Sequence, residues 1–164
     1  MSNAVTDDRE KIAVLNLLAL EGIGSGTVIR LVEQFHSASA VFEAREAELR
    51  TVPKLSSATI TRLQSIRADH EVGAKQFDEA AKAGIEVRTY WDGDYPPSLR
   101  QIEGDSPAVL FIRGHLPGEA KRLAVVGTRS ATAYGKRMVH DLIVGLRGSG
   151  LHIISGLASG IDGY

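Results

Sequence analysis

The sequence predicts a two-part chain of the α + α/β class: a helical domain over residues 1–84, then the first part of a parallel-sheet domain over 85–164. Three observations carry this reading. Up to Gly84 the apolar residues recur at helical spacing. Beyond it, short apolar runs of strand length flank one amphipathic helix. Two of those runs open directly into glycine-rich loops.

In the first part, Ile12, Val14, Leu15, Leu17 and Leu18 form a wide apolar stripe. Val28, Leu31, Val32 and Phe35 repeat the pattern after the Gly22-Ile23-Gly24 break. Ile60, Leu63 and Ile66 make a third face behind Ser56 and Ser57, both suited to N-capping. A further helix is predicted from about His70 to Lys82, stopping near Gly84. The run from Ile85 to Tyr90 alternates with period two and reads as a strand. Residues 91–107 are rich in Asp, Gly and Pro and read as a connection with little regular structure. Ala108 to Ile112 and Leu123 to Val126 are apolar runs suited to buried strands. Tyr134, Met138, Val139, Leu142, Ile143 and Leu146 mark one face of a helix that Gly148 and Gly150 end, and Leu151 to Ile154 is the next strand. Strand, helix, strand in that order implies a right-handed crossover onto a parallel sheet.

The chain has 164 residues, 43% hydrophobic and 24% charged, as in a soluble globular protein. No apolar run approaches the roughly 18–20 residues that span a bilayer. Asp7, Asp8 and Glu10 stand where a secretory signal would be basic and then apolar. There is no cysteine, which excludes disulfides and cysteine-based zinc or redox chemistry. These features fit the cytoplasm. The formal net charge is -1, but it is unevenly spread. Between Arg113 and Arg147 stand seven basic residues (Arg113, Lys121, Arg122, Arg129, Lys136, Arg137 and Arg147) against only Glu119 and Asp141. Residues 1–83 hold ten basic and twelve acidic side chains. Screening over about 8–10 Å makes local charge decisive, so the second part can bind a polyanion, although a solvated surface explains the same charges.

The strand at 123–126 leads into Gly127-Thr128-Arg129-Ser130, and the strand at 151–154 leads into Ser155-Gly156-Leu157-Ala158-Ser159-Gly160-Ile161-Asp162. If the strands are parallel neighbours, both loops emerge at one sheet edge, where open α/β sheets bind ligands. Glycine allows close backbone approach, and a helix N-terminus adds partial positive charge. The hydroxyls of Thr128, Ser130 and Ser155 can donate to phosphate oxygens, and Arg129 offers a charged bidentate fork. Gly127, Gly156 and Gly160 would serve tight turns equally well, with Ser130 or Thr132 as a helix cap. Taken together, the two loops favour a phosphate site. The spacing Gly127…Gly135 is not the G-x-G-x-x-G dinucleotide fingerprint, which disfavours a nicotinamide-dependent oxidoreductase. Tyr134 could stack on a base, or simply belong to its helix face.

Elsewhere, Gly22-Ile23-Gly24 between two helices resembles a helix-hairpin-helix turn, whose amides can meet a DNA phosphate; packing alone explains it too. A degenerate second copy could occupy Thr51 to Ser56. No catalytic constellation emerges. His36, His70, His115, His140 and His152 lack metal-ligand spacing, and Ser155 lacks the G-x-S-x-G elbow. A turn or capping role suits Asp162 better than a place beside an anion.

Several segments, in order, resemble the DNA-processing protein A family. They are Tyr95-Pro96…Leu99…Ile102…Pro107, Leu110-Phe111-Ile112-Arg113-Gly114, Val125-Val126-Gly127-Thr128-Arg129, Tyr134-Gly135, and Ser155 through Asp162. The resemblance implies a helix-hairpin-helix or SAM-like first domain and an incomplete, extended Rossmann-like second domain. It further implies binding of single-stranded DNA and its delivery to the RecA recombinase during natural transformation, with no enzymatic activity and no cofactor. Full-length members act as homodimers. By motif, Gly127, Thr128, Arg129, Ser155, Gly156 and Gly160 would line the DNA-phosphate pocket, joined by Ser130, with Arg113, Tyr134 and Lys136 as additional contacts. The family motif continues past Gly-Ile-Asp to an Ala-His pair, so the chain is expected to be an N-terminal portion ending within the Rossmann-like domain. With one sheet face uncovered, its second half is expected to be marginally stable. The alternative class is a nucleotide-processing enzyme of the phosphoribohydrolase type, built on a similar core.

Overall fold

The computed structural model describes residues 7–66, 71–102, 104–116, 118 and 121–164. It divides into two compact units, residues 1–114 and 115–164. Among the described residues no helix is long and apolar enough to cross a membrane.

The first unit contains helices α1 (Asp8–Leu18), α2 (Ser25–Phe35), α3 (Ala38–Glu43), α4 (Glu46–Leu49), α5 (Ser57–Ser65) and α6 (Glu71–Lys82). They are followed by strand β1 (Glu86–Thr89), the short helix α7 (Pro97–Arg100) and strand β2 (Val109–Ile112). α1 is central because it is apolar on two sides. Ala13, Val14 and Leu17 join a cluster with Val28, Leu31, Val32, Val41, Ile60 and Leu63. Leu15 points into a second cluster with Ala80 and Val87. Each fully buried leucine of this kind contributes about 2 kcal/mol of transfer free energy, so this unit has a true core.

Polar groups fix how the helices meet. The Glu10 carboxylate accepts from the Ala38 N–H at 2.7 Å, and the Ser37 hydroxyl from the Ala40 N–H at 3.0 Å. Together they satisfy amides at the start of α3 that its own ladder leaves bare. Ser56, as the sequence suggests, caps α5 by accepting from Thr59 N–H at 3.1 Å. Buried Asn16 accepts from the Gly73 N–H at 2.7 Å across the α1–α6 crossing. A β-carbon at Gly73 would fall 2.5 Å from the Ile12 carbonyl oxygen and 2.6 Å from Asn16 Oδ1, so only glycine permits this approach.

β1 and β2 pair antiparallel, with Glu86 opposite Ile112 and Thr89 opposite Val109. They do not join the parallel sheet expected over 85–164. The connection between them is also more ordered than its composition suggests. The Tyr95 hydroxyl donates to the Pro107 carbonyl at 2.8 Å, and the Ser106 hydroxyl to the Leu99 carbonyl at 2.7 Å. These bonds fold the described residues of the connection back on themselves and bring the strands together as a hairpin. Lys11 of α1 donates to the Val87 carbonyl at 3.0 Å and lies 3.6 Å from the Asp92 carboxylate, which is itself held by the Thr89 N–H. Ala108 joins the helical core. The compact division therefore falls after Gly114, although the change of periodicity lies near residue 84.

The second unit contains β3 (Arg122–Ala124), α8 (Ala133–Gly145) and β4 (His152–Ile154). β3 and β4 pair parallel, Arg122 opposite His152 and Ala124 opposite Ile154, as the strand–helix–strand order requires. Thr132 caps α8 by accepting from the Gly135 N–H at 3.1 Å. No described residue from 113 to 164 is buried. Met138, Leu142 and Ile143, the apolar face of α8, are exposed.

Two expectations follow for the first unit. Gly73→Ala should destabilise it by about 2 kcal/mol or more, read as a lowered urea midpoint, because the Ile12 carbonyl is backbone and the buried Asn16 side chain is held by its bond to the Gly73 N–H. Arg45 donates to Glu48 both from its backbone N–H and from Nη2, each at 2.8 Å. Those side-chain and backbone hydrogen bonds hold the Glu48 carboxyl at about 2, well below the usual range. A depressed carboxyl stabilises the fold above its unfolded pKa, and that contribution is lost as pH falls toward the folded value. Glu48 should therefore remain charged near pH 3 by carbon-detected NMR titration, and Glu48→Gln should flatten the acid limb between about pH 4 and pH 2.

Candidate nucleic-acid interface

Both glycine-rich loops leave the carboxyl ends of paired parallel strands, and they meet. The second loop turns at Gly160 (φ 101°), in the left-handed region where a side chain would be strained. A β-carbon there would collide with the Thr128 carbonyl and lie 2.6 Å from Arg129 Cα. A β-carbon at Gly127 would fall 2.5 Å from that of Ile161. These glycines are needed because one loop packs on the other.

Hydrogen bonds lock the same seam. The Ile161 N–H donates to the Thr128 carbonyl at 3.1 Å, and the Gly127 N–H donates to Asp162 Oδ1 at 2.9 Å. Within the individual loops, the Ser155 hydroxyl donates to the Asp162 carbonyl at 3.3 Å, and the Ser130 N–H to Thr128 Oγ1 at 3.2 Å. The Asp162 carboxylate thus bridges the two loops, rather than closing a turn or capping a helix. The Gly127 amide, expected to be offered to an anion, is already engaged by this carboxylate.

Above the seam lies a cleft of about 590 Å³. Arg129, Ser130 and Gly160 line it, together with Lys136 from the first turn of α8. Gly127, Thr128, Ser155 and Gly156 do not line it but form the support beneath. Tyr134 is 66% exposed on α8 and stands outside the cleft. Arg113 belongs to the other compact unit, where its guanidinium reaches the Ala83 carbonyl at 3.5 Å.

Leu157, Ser159 and Tyr164 also line the cleft and were not singled out from the sequence. Leu157 is 83% exposed at φ 52°, a left-handed backbone that directs an aliphatic side chain into solvent. Lys136 Nζ lies 5.5 Å from the centre of the Tyr164 ring, within cation–π range. No spacing rule links Lys136 to Tyr164; only the loop seam brings them together. Among the described residues no group of three or more His, Asp or Glu is placed to hold a metal ion. The cleft therefore offers two cations, two serine hydroxyls, an aromatic face and an aliphatic tip on one exposed surface. Gly160→Ala should break the seam. Its expected signature is large amide shifts at Thr128, Arg129 and Ile161, with those of α1 and α2 unchanged.

Comparison with known proteins bears on family and fold. Residues 86–164 match the family described as DNA recombination-mediator protein A. The DNA processing protein DprA of Bacillus subtilis is 46% identical over 82 residues, covering 49% of this chain and 27% of the relative. Protein Smf of Synechocystis is 28% identical over 152 residues, 87% of this chain and 37% of the relative. The chain thus spans about a quarter to two fifths of the length of these curated relatives. The X-ray structure of DNA processing protein A from Streptococcus pneumoniae matches 99% of this chain and 52% of that chain, with a TM-score of 0.60 and 23% identity, a likeness of fold. The α + α/β architecture is therefore that of this group of proteins, and residues 86–164 are the part of the chain that matches the DNA recombination-mediator protein A family.

Proposed function

We propose that the protein binds single-stranded DNA along the cleft formed by its two βα loops. The observation that carries this reading is the convergence of Arg129, Lys136 and Ser130 on one exposed cleft at the carboxyl edge of β3 and β4. Arg129 supplies a planar fork for a phosphate, Lys136 a compact charge, and the Ser130 hydroxyl a neutral donor. None of these reads base identity, so binding is expected to be sequence-tolerant. The Tyr164 ring and the Leu157 tip suit the face of an unpaired base or its sugar.

Gly127, Thr128, Ser155, Gly156 and Gly160 act in this reading as the frame that holds Arg129 and Ser130, with Tyr134 and Arg113 as outlying contacts. Asp162 commits one carboxylate oxygen to the Gly127 amide, which favours a binding role over a catalytic one. The family extends the proposal to recombination. The bound strand is passed to the RecA recombinase in the cytoplasm during natural transformation, by a homodimer, without a cofactor.

The test is the salt dependence of binding to a fluorescent oligothymidylate. Affinity should fall steeply with salt, and Arg129→Ala should weaken binding to all sequences alike. Loss of one phosphate contact should lower the magnitude of the log–log salt slope by about 0.7. An unchanged slope and affinity would remove Arg129 from the interface. Displacement by mononucleotides as readily as by oligonucleotides would instead favour nucleotide chemistry at these loops.

A further inference from the structure

A second, smaller cleft of about 360 Å³ lies wholly within the first unit. It is bordered by Arg30, Arg100, Tyr90, Ser106, Gly26 and Gly104. We infer that this cleft is a phosphate-binding site, separate from the loop cleft and independent of the function proposed above.

The argument begins with Arg30. Its Nη2 donates to the Thr27 hydroxyl at 3.0 Å, but its Nε is buried and has no acceptor among the described residues. A buried guanidinium N–H left unmatched is unfavourable, so Arg30 gains from an anion that draws its side chain toward the cleft it lines. Thr27 is neutral, so the charge of Arg30 is not balanced by this contact.

Arg100 repeats the pattern from the other wall. Its Nε donates to the Tyr90 carbonyl at 3.1 Å and its Nη2 to the Asp92 carbonyl. Its guanidinium carbon sits 5.6 Å from the Tyr90 ring centre and 5.4 Å from that of Tyr95. Carbonyls and ring faces hold the side chain in place but bring no net negative charge. The Asp92 carboxylate is turned away, toward Lys11 and the Thr89 N–H. Two positioned guanidinium groups thus border one cleft, and no described residue lining it is acidic.

The start of α2 completes the site. Its first intrahelical bonds run from the Thr27 and Val28 N–H groups to the Gly24 carbonyl, so the Ser25 and Gly26 amides precede the ladder. No side chain caps this eleven-residue helix, and its first turn carries no acidic residue. Gly26 lets the turn at Gly104 pack against it, since a β-carbon there would fall 2.9 Å from the Gly104 carbonyl oxygen. Guanidinium forks match phosphate geometry, and bare helix-start amides add donors and positive potential. The volume suits one phosphate group with part of its substituent, either free or carried on a nucleic-acid strand.

The experiment is a titration of the whole chain followed by nitrogen–proton NMR, which observes the Arg30 Nε–H directly. The probes are inorganic phosphate, thymidine monophosphate and oligothymidylate. Saturable shifts of Arg30 Nε–H and the Gly26 amide with inorganic phosphate are expected, with Arg30→Gln weakening binding at least about tenfold. Arg129→Ala should leave the inorganic-phosphate titration of these two resonances unchanged, which separates its outcome from that of the loop cleft. Arg30→Lys, which keeps the charge and loses the Nε donor, provides a second variant should the first perturb folding; it too should weaken binding. Tighter saturation of the same resonances by oligothymidylate would identify a strand as the source of phosphate, and saturation by the small anions alone a free phosphate. The absence of saturable shifts at Arg30 and Gly26, or shifts that persist undiminished in both Arg30 variants, would overturn the inference.

Discussion

Gly160 turns the second loop against the backbone of Thr128 and Arg129, and the polar groups of the cleft take their positions from that contact. With no buried residue among those described in this unit, the loops are not held by burial. Their order comes instead from the parallel pairing of β3 with β4 and a few hydrogen bonds across the seam, each contributing about 1 kcal/mol. The arrangement is specific but shallow. It aims Arg129 and Ser130 outward while leaving the apolar side of α8 without a partner.

The first unit is organised by the opposite means. α1 is packed on both sides, and its few polar groups are spent on joining elements far apart in sequence. Glu10 caps α3, Lys11 reaches the hairpin, and Asn16 grips α6. Burial supplies the energy, while these three contacts decide which surfaces meet and in what register. Rigidity of that kind lets Arg30 and Arg100 be held with donors or charge unspent.

Much of this was legible in the residues. Helical spacing located α1, α2, α5 and α6, Ser56 was recognisable as a cap, and the strand–helix–strand order implied the parallel pairing of β3 and β4. The short helices α3, α4 and α7 escaped notice because four to six residues cannot display a period. The pairing of β1 with β2 was hidden for another reason. It depends on Tyr95 and Ser106 bonding to distant carbonyls, and composition showed only Asp, Gly and Pro. In the cleft, Arg129, Ser130, Gly160 and Lys136 were all identifiable from loop chemistry and local charge. What spacing could not show was that Gly127 and Gly160 serve loop-on-loop packing, or that Tyr164 meets Lys136.

The two-sided burial of α1 also bears on how such a protein can be inherited. One helix supplies both the core of the helical bundle and the floor beneath the β1–β2 hairpin. An exchange of sequence between relatives that broke the chain near residue 84 would part Leu15 from Val87 and Lys11 from Asp92. A break after Gly114 would disturb neither. Residues 1–114 therefore form the natural cassette, and it already carries the strands that begin the family-matching region at residue 86.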